Sequence, residues 1–261
     1  MEIFADSADL KEIRTWLDFG VIDGVTTNPS IMLASGTYQL REGAVEIAQL
    51  LEDKPLSVEV VSDVPDDMYA QALEIAGWAP NIVVKIPIIT TKGEPCLGVI
   101  SALRKAGIKV NATACLSFNQ AMLAAKAGAT YVSLFSGRIS DEGANPSEVV
   151  RHTAEWLRAW NMPSKIIVGS IRETMNVQDA AQAGAHVVTV PPKFLRQMID
   201  HKYPSITVTV DRHSSINVVS ICVLKIWKAR LRLPHIVVQL LKHISRGERC
   251  DPHGIPHYHL A

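Results

Sequence analysis

Ile82-Val83-Val84-Lys85-Ile86-Pro87 is an apolar run of strand length, rich in β-branched residues and broken by a single lysine. Neither face of it is polar, which is the pattern of a strand covered on both sides, as parallel strands are. Seven further runs of the same kind precede or follow it: Glu2–Ala5, Val21–Thr26, Leu56–Val61, Ile108–Thr113, Tyr131–Phe135, Lys165–Gly169 and His186–Val190. Between them lie amphipathic stretches with helical spacing and glycine stops. Ala8 to Phe19 is closed by Gly20, Cys96 to Ala106 by Gly107, and Phe118 to Ala127 by Gly128. Eight strand–helix units predict an α/β protein, a closed (β/α)8 TIM barrel, in preference to an open doubly wound sheet. The first strand is followed by no glycine-rich dinucleotide fingerprint, which also speaks against the open sheet.

A chain of 261 residues with 48% apolar residues has room for one such barrel as a single domain. Its formal net charge is zero, so the molecule as a whole has no electrostatic pull toward nucleic acid or an anionic membrane. An anionic ligand would have to be held locally. The opening MEIFADSADL has neither a basic nor a long apolar leader segment, and a cytoplasmic location is expected. Cys96, Cys115, Cys222 and Cys250 are far apart and form no CxxC pair, so they read as ordinary thiols.

The composition shifts near residue 204. Residues 204–261 hold eight Lys or Arg against three acids, a charge of +5, which leaves −5 on the preceding body, and six of the nine histidines fall there. Two parts are therefore expected: a barrel domain over 1–203 and an atypical basic, histidine-rich C-terminal tail over 204–261, with a helix at Pro234–Arg246 ended by Gly247. The apolar run Ile216–Trp227 is too short to span a bilayer, which takes ~20 residues. Cys250-x-x-His253-x-x-x-His257-x-His259 reads as an unstructured end, not a zinc site, because proline and glycine interrupt it.

In a barrel of this kind the C-terminal strand ends line the mouth where catalysis sits. Those ends carry Asp6, the run Thr26-Thr27-Asn28, Glu59, Lys85, Asn111 with Thr113, Ser133 followed by Arg138, and Ser170 followed by Arg172. Lysine is rarely buried without a purpose. Burial disfavours an ammonium and favours a free amine able to attack a ketone, while the plainer alternative is a lysine that pairs with an acid or reaches out of the barrel end. Lys109, at the start of its strand, falls at the opposite end and reads as structural. Asp6 and Glu59 are candidates for proton transfer, although Asp6 and Ser7 also stand where a helix cap would. Alternation along Ser57, Glu59 and Val61 turns the Glu59 carboxylate inward. Arg138, Ser170 and Arg172 could hold an anion such as a phosphate. Asn28 followed by Pro29 reads as a helix cap with proline at the first helical position.

The stretch Gly24-Val25-Thr26-Thr27-Asn28-Pro29-Ser30-Ile31-Met32 resembles the sequence signature of transaldolases. The similarity continues through Asn81-Ile82-Val83-Val84-Lys85-Ile86-Pro87 and Ala127-Gly128-Ala129-Thr130-Tyr131-Val132-Ser133. Over roughly residues 1–203 the chain looks like the small-subunit branch of that family, which also contains fructose-6-phosphate aldolases. The resemblance implies a class I aldolase type of barrel and makes Lys85 the Schiff-base lysine and Asp6 the acid/base on the hydroxyl whose deprotonation breaks the carbon–carbon bond. It gives Glu59 and Thr113 a water, Thr27, Asn28, Asn111, Ser133 and Phe135 the substrate carbons and hydroxyls, and Arg138, Ser170 and Arg172 the phosphate. Sugar phosphates are the implied partners, with no metal and no cofactor, because the protonated imine is itself the electron sink. Aldolase members of the branch carry Gln and Tyr where this chain has Glu59 and Phe135, so transfer is the expected activity. The resemblance also implies a homo-oligomer, a ring of five or paired rings. The family's final helix finds no match in the tail beyond Tyr203.

Overall fold

The computed structural model describes residues 1–36 and 39–200. The expected helix at Pro234–Arg246, Cys222, Cys250 and the histidine run lie outside the described residues, as does the 203/204 boundary.

Eight parallel strands close into a barrel in chain order. They are β1 (Glu2–Asp6), β2 (Gly24–Thr26), β3 (Leu56–Glu59), β4 (Ile82–Pro87), β5 (Val110–Cys115), β6 (Tyr131–Phe135), β7 (Lys165–Gly169) and β8 (Val187–Val190). The helices are α1 (Leu10–Asp18), α2 (Pro29–Ala34), α3 (Leu40–Leu51), α4 (Pro65–Ala76), α5 (Leu97–Lys105), α6 (Phe118–Ala127), α7 (Ser136–Asp141), α8 (Pro146–Ala159), α9 (Thr174–Gln182) and α10 (Pro192–Ile199). The TIM barrel read from the sequence is the fold of the described residues.

Five strands differ in extent from the sequence reading, β1 and β8 by a single residue and β2, β3 and β5 by two or more, the last three each for a local reason. Val21 does not join β2, because its N–H closes the end of α1 on the Trp16 carbonyl at 3.1 Å. Ile108 is likewise taken up by α5, donating to Leu103 at 3.0 Å, so β5 starts two residues late and runs on to Cys115. β3 stops at Glu59. Beyond it Val61 is 60% exposed and its N–H turns to the Gln71 side chain at 2.8 Å.

The register positions the chemistry. Glu59 on β3 stands opposite Lys85 on β4, and Lys85 stands opposite Asn111 on β5. Because side chains alternate between faces with a period of two, Asp6 shares a face with Phe4, Lys85 with Val83, Ser133 with Tyr131 and Thr189 with Val187. Phe4, Val83, Tyr131, Ile167 and Val187 form their own buried cluster, separate from the larger core between strands and helices. An apolar plug therefore lies directly below a polar layer. Gly24 admits that plug: a Cβ there would stand 2.9 Å from the Phe4 ring and 2.8 Å from the Pro55 carbonyl oxygen.

Candidate active site

At the C-terminal ends of the strands a cavity of about 210 Å³ opens among residues from every strand except β3. Asp6, Asn28, Lys85, Asn111, Thr113, Ser133, Phe135, Arg138 and Ser170 of the sequence-derived set line it, joined by Thr26, Gly169 and Thr189. Such a volume is below the ~300–1,000 Å³ of pockets for drug-sized ligands and suits a small polar molecule.

Lys85 is buried, and β4 delivers its amine to two oxygens. Nζ donates to the Thr27 carbonyl at 2.9 Å and pairs with Glu59 Oε2 at 3.0 Å. Of the two readings of this lysine, pairing with an acid describes the geometry, and the inward carboxylate of Glu59 is the partner. Glu59 reaches the site through Lys85 without lining the cavity. Thr27 does the same through its main chain, since its own hydroxyl is spent on the Ser57 carbonyl at 2.9 Å.

Asp6 is not a helix cap. That role belongs to Asp9, whose carboxylate accepts from Lys11 N and Glu12 N, and Ser7 in turn supports Asp9 N. Asp6 instead accepts from the Thr26 hydroxyl at 2.8 Å, and Thr26 meets the Thr189 hydroxyl at 2.5 Å. The carboxyl touches the cavity but lies deep in the barrel, and burial pushes it above the ordinary carboxylate range. The positive charge of Lys85 and the Thr26 hydrogen bond act against that rise, and the charge of Glu59 adds to it. A carboxyl raised in this way beside a lysine is a candidate to take and return a proton during a reaction.

Across the barrel, Ser133 Oγ donates to Asn111 Oδ1 at 2.7 Å and Asn111 Nδ2 donates to Ser57 Oγ at 3.2 Å, a relay that fixes the Asn111 amide from both ends. Thr113 Oγ1 is buried in the cavity wall and has no hydrogen-bond partner among the described residues. A buried hydroxyl left unpaired costs about 1–3 kcal/mol, so it is a place where a bound molecule gains most. Just beyond it β5 bulges between Ala112 and Cys115, with Ala114 in the left-handed region at φ 59°. Asn28 caps α2, accepting from Ile31 N at 2.9 Å, as read from the Asn-Pro pair, and the same side chain faces the cavity.

At the rim Arg138 and Ser170 line the cavity, with Ser170 held at φ 57°. Arg172, expected beside them, does not line it. Its guanidinium is bound end-on by Asp141, with two N–H···O contacts of 2.5 Å. Sequence reasoning missed Asp141, Thr189 and the Ser57 hydroxyl. A polar residue at an inward register position would have marked Ser57 and Thr189. No signal marked Asp141, since an acid in a short polar segment reads as solvated. Cys115 is no nucleophile, its buried thiol pushed up to about 12, and Cys96 is also buried, neither forming a disulfide among the described residues.

Among the described residues no helix is long and apolar enough to cross a membrane. None of them forms a group of three or more His, Cys, Asp or Glu placed to hold a metal ion.

Among solved structures, a thiamine phosphate pyrophosphorylase from Pyrococcus furiosus matches with a TM-score of 0.51 and 15% identity over 73% of this chain and 85% of that one. That likeness concerns the fold. Curated relatives are much nearer. A probable transaldolase of Dehalococcoides mccartyi is 41% identical over 201 residues, 77% of this chain and 91% of the relative. Probable transaldolases of Desulforudis audaxviator and Moorella thermoacetica are each 43% identical with the same two coverages. The family described as transaldolase/fructose-6-phosphate aldolase matches residues 3–246, beyond the compositional break at 204. With nearly the whole chain matched, it belongs to the transaldolase/fructose-6-phosphate aldolase family.

Proposed function

We propose that this chain is a transaldolase that moves a dihydroxyacetone unit between sugar phosphates through a Schiff base on Lys85. The reading is carried by one observation: a buried lysine amine in a cavity wall, 3.0 Å from Glu59 and sharing that cavity with Asp6.

In the proposed sequence a proton passes from the Lys85 ammonium to Glu59, and the freed amine attacks C2 of a ketose phosphate such as sedoheptulose 7-phosphate. The resulting carbinolamine loses water to give an iminium, with Thr113 Oγ1 as a ready partner for that water. Asp6 takes the C4 hydroxyl proton, the C3–C4 bond breaks, and an aldose phosphate such as erythrose 4-phosphate leaves. Its bonding electrons pass into the iminium, making an enamine. Asn28, Asn111 and Ser133 hold the hydroxyls of the retained three-carbon unit. Glyceraldehyde 3-phosphate then enters, the enamine carbon attacks its aldehyde, Asp6 returns the proton, and hydrolysis releases fructose 6-phosphate and Lys85.

Phe135 favours transfer over net cleavage. It lines the cavity with an apolar ring, so no hydroxyl stands there to deliver the proton that would release the enamine as free dihydroxyacetone. Borohydride added with fructose 6-phosphate is expected to fix an adduct that peptide mapping places on Lys85. Adding erythrose 4-phosphate is expected to yield sedoheptulose 7-phosphate. Free dihydroxyacetone as the main product would make the chain a fructose-6-phosphate aldolase, and no adduct on Lys85 would end the Schiff-base reading.

A further inference from the structure

The Arg172–Asp141 pair stands at the rim of the cavity, and its surroundings bear on how an anion would be held there. Both Nη atoms of Arg172 are occupied by the two oxygens of Asp141, 2.5 Å apart in each case. Yet Arg172 is next to the cavity wall. A Cβ on Gly137 would stand 2.5 Å from Arg172 Nε and 2.9 Å from Ser170 Oγ, so the guanidinium and the cavity-lining serine flank the same point. Any side chain at 137 would separate them. Asp141 also feels Arg138. Its carboxyl is held below the ordinary range chiefly by the hydrogen bonds from Arg172, and the charge of Arg138 acts in the same direction. One carboxylate thus opposes the two arginines nearest the rim. The pair is about half exposed on both sides, so it is exchangeable, not locked.

We propose that Asp141 is a displaceable counterion of the phosphate subsite, from which a bound phosphate draws Arg172, so that Asp141 sets how strongly phosphorylated substrates are preferred. This deepens the functional reading above and rests on it for the identity of the sugar. Geometry supports exchange because a phosphate offers Arg172 the same two-oxygen face that Asp141 does, with a second charge besides. Net charge at the rim rises by one when the carboxylate is removed.

The test is a calorimetric titration of the full chain with inorganic phosphate at fixed ionic strength, comparing the unmodified protein with Asp141→Asn. The expected result is binding about two- to fivefold tighter in the variant, the range an exposed ion pair supplies. In an Arg172→Met background, Asp141→Asn is expected to tighten binding by less than about twofold, the remainder being its effect on Arg138. With ketoses, KM for fructose 6-phosphate is expected to fall by the same factor and KM for unphosphorylated fructose to stay put, a split that a merely structural role would not produce. Unchanged or weaker phosphate binding in Asp141→Asn overturns the proposal, weakening because Asp141 would then be orienting Arg172. Tightening that persists undiminished without Arg172 overturns it too, as does absence of phosphate binding in both proteins. A failed borohydride trap with a positive phosphate response would remove the reaction and keep the counterion. The reverse combination would remove only the counterion.

Discussion

Replacing Lys85 by Met keeps a side chain of similar length in β4 and deletes the amine. Two oxygens then lose their donor. The Thr27 carbonyl, at 2.9 Å from Nζ, is buried among strand ends, and an unpaired buried acceptor costs about 1–3 kcal/mol. Breaking a fully buried ion pair from one side costs about 3–5 kcal/mol, but the Glu59 side chain keeps 24% of its exposure and water relieves much of that. Removing the desolvated ammonium gives some of it back. A net loss of about 2–3 kcal/mol follows, roughly 4–12 °C in melting temperature for a barrel of this size. Adding Glu59→Gln to Lys85→Met removes the stranded charge and is expected to restore about 1–2 kcal/mol, whereas Glu59→Gln alone is expected to destabilise. Turnover separates chemistry from folding. Deleting the group that forms the covalent intermediate is expected to lower kcat at least about 10³-fold in both Lys85→Met and the double variant, however stable the latter is. Thermal melts and a coupled assay for aldose phosphate release measure the two effects independently. A folded Lys85→Met protein with kcat within tenfold of the original would refute the covalent reasoning, and a double variant no more stable than the single one would refute the ion-pair reasoning.

Asp6→Asn separates stability from activity in the opposite sense. Because the folded-state carboxyl is raised, folding holds a proton that the unfolded chain has released, and stability falls as pH rises through the window that starts at 3.8. The variant is expected to lose that slope, to equal or exceed the original in neutral-pH melts by up to about 1 kcal/mol, and to lose about 10²–10⁴-fold in kcat. His186, half-buried at the other end of the barrel, accepts the Ile166 N–H at 3.1 Å on Nδ1, and burial followed by the charge of Lys165 lowers its pKa. Here the unfolded state takes up the proton first, so stability is expected to fall as pH drops below 6.5, by a fraction of the ~1.4 kcal/mol per unit ceiling because the ring is partly in water. Denaturant titrations from pH 7.5 to 5 should show it, and His186→Gln should flatten it. Gly24→Ala would press a methyl group against the Pro55 carbonyl and the Phe4 ring, and an equilibrium melt is expected to record a loss of about 1–3 kcal/mol.

What the sequence disclosed divides along a physical line. β4, β6 and β7 have the limits read from their apolar runs: Asn81 and Pro87 mark the first, and Ser136, Ser164 and Ser170 stand at the ends of the others. β2 and β5 do not, because Val21 and Ile108 are apolar for another purpose: each closes the helix before it, and a local hydrophobicity pattern cannot tell a strand residue from a helix-end residue. Lys85, Asn111 and Ser133 stood out by the same rule that made the strands visible, since a polar residue inside an apolar strand that faces the barrel interior has to be satisfied by something. Thr189 obeys the rule and still escaped notice, because threonine is β-branched and reads as a strand former in Val187-Val188-Thr189-Val190. Arg172 was legible as an anion-holding residue, but its pairing was not. Its partner Asp141 lies 31 residues away at the end of α7, and their meeting depends on Ser170 at φ 57° and on the missing side chain of Gly137, neither of which periodicity can express. Strand register thus writes the deep half of the site into the sequence, where Phe4, Val83, Tyr131 and Val187 force their neighbours two residues on to face the cavity. The rim is set by loop dihedrals, and it is at the rim that substrate preference within one barrel chemistry would be decided.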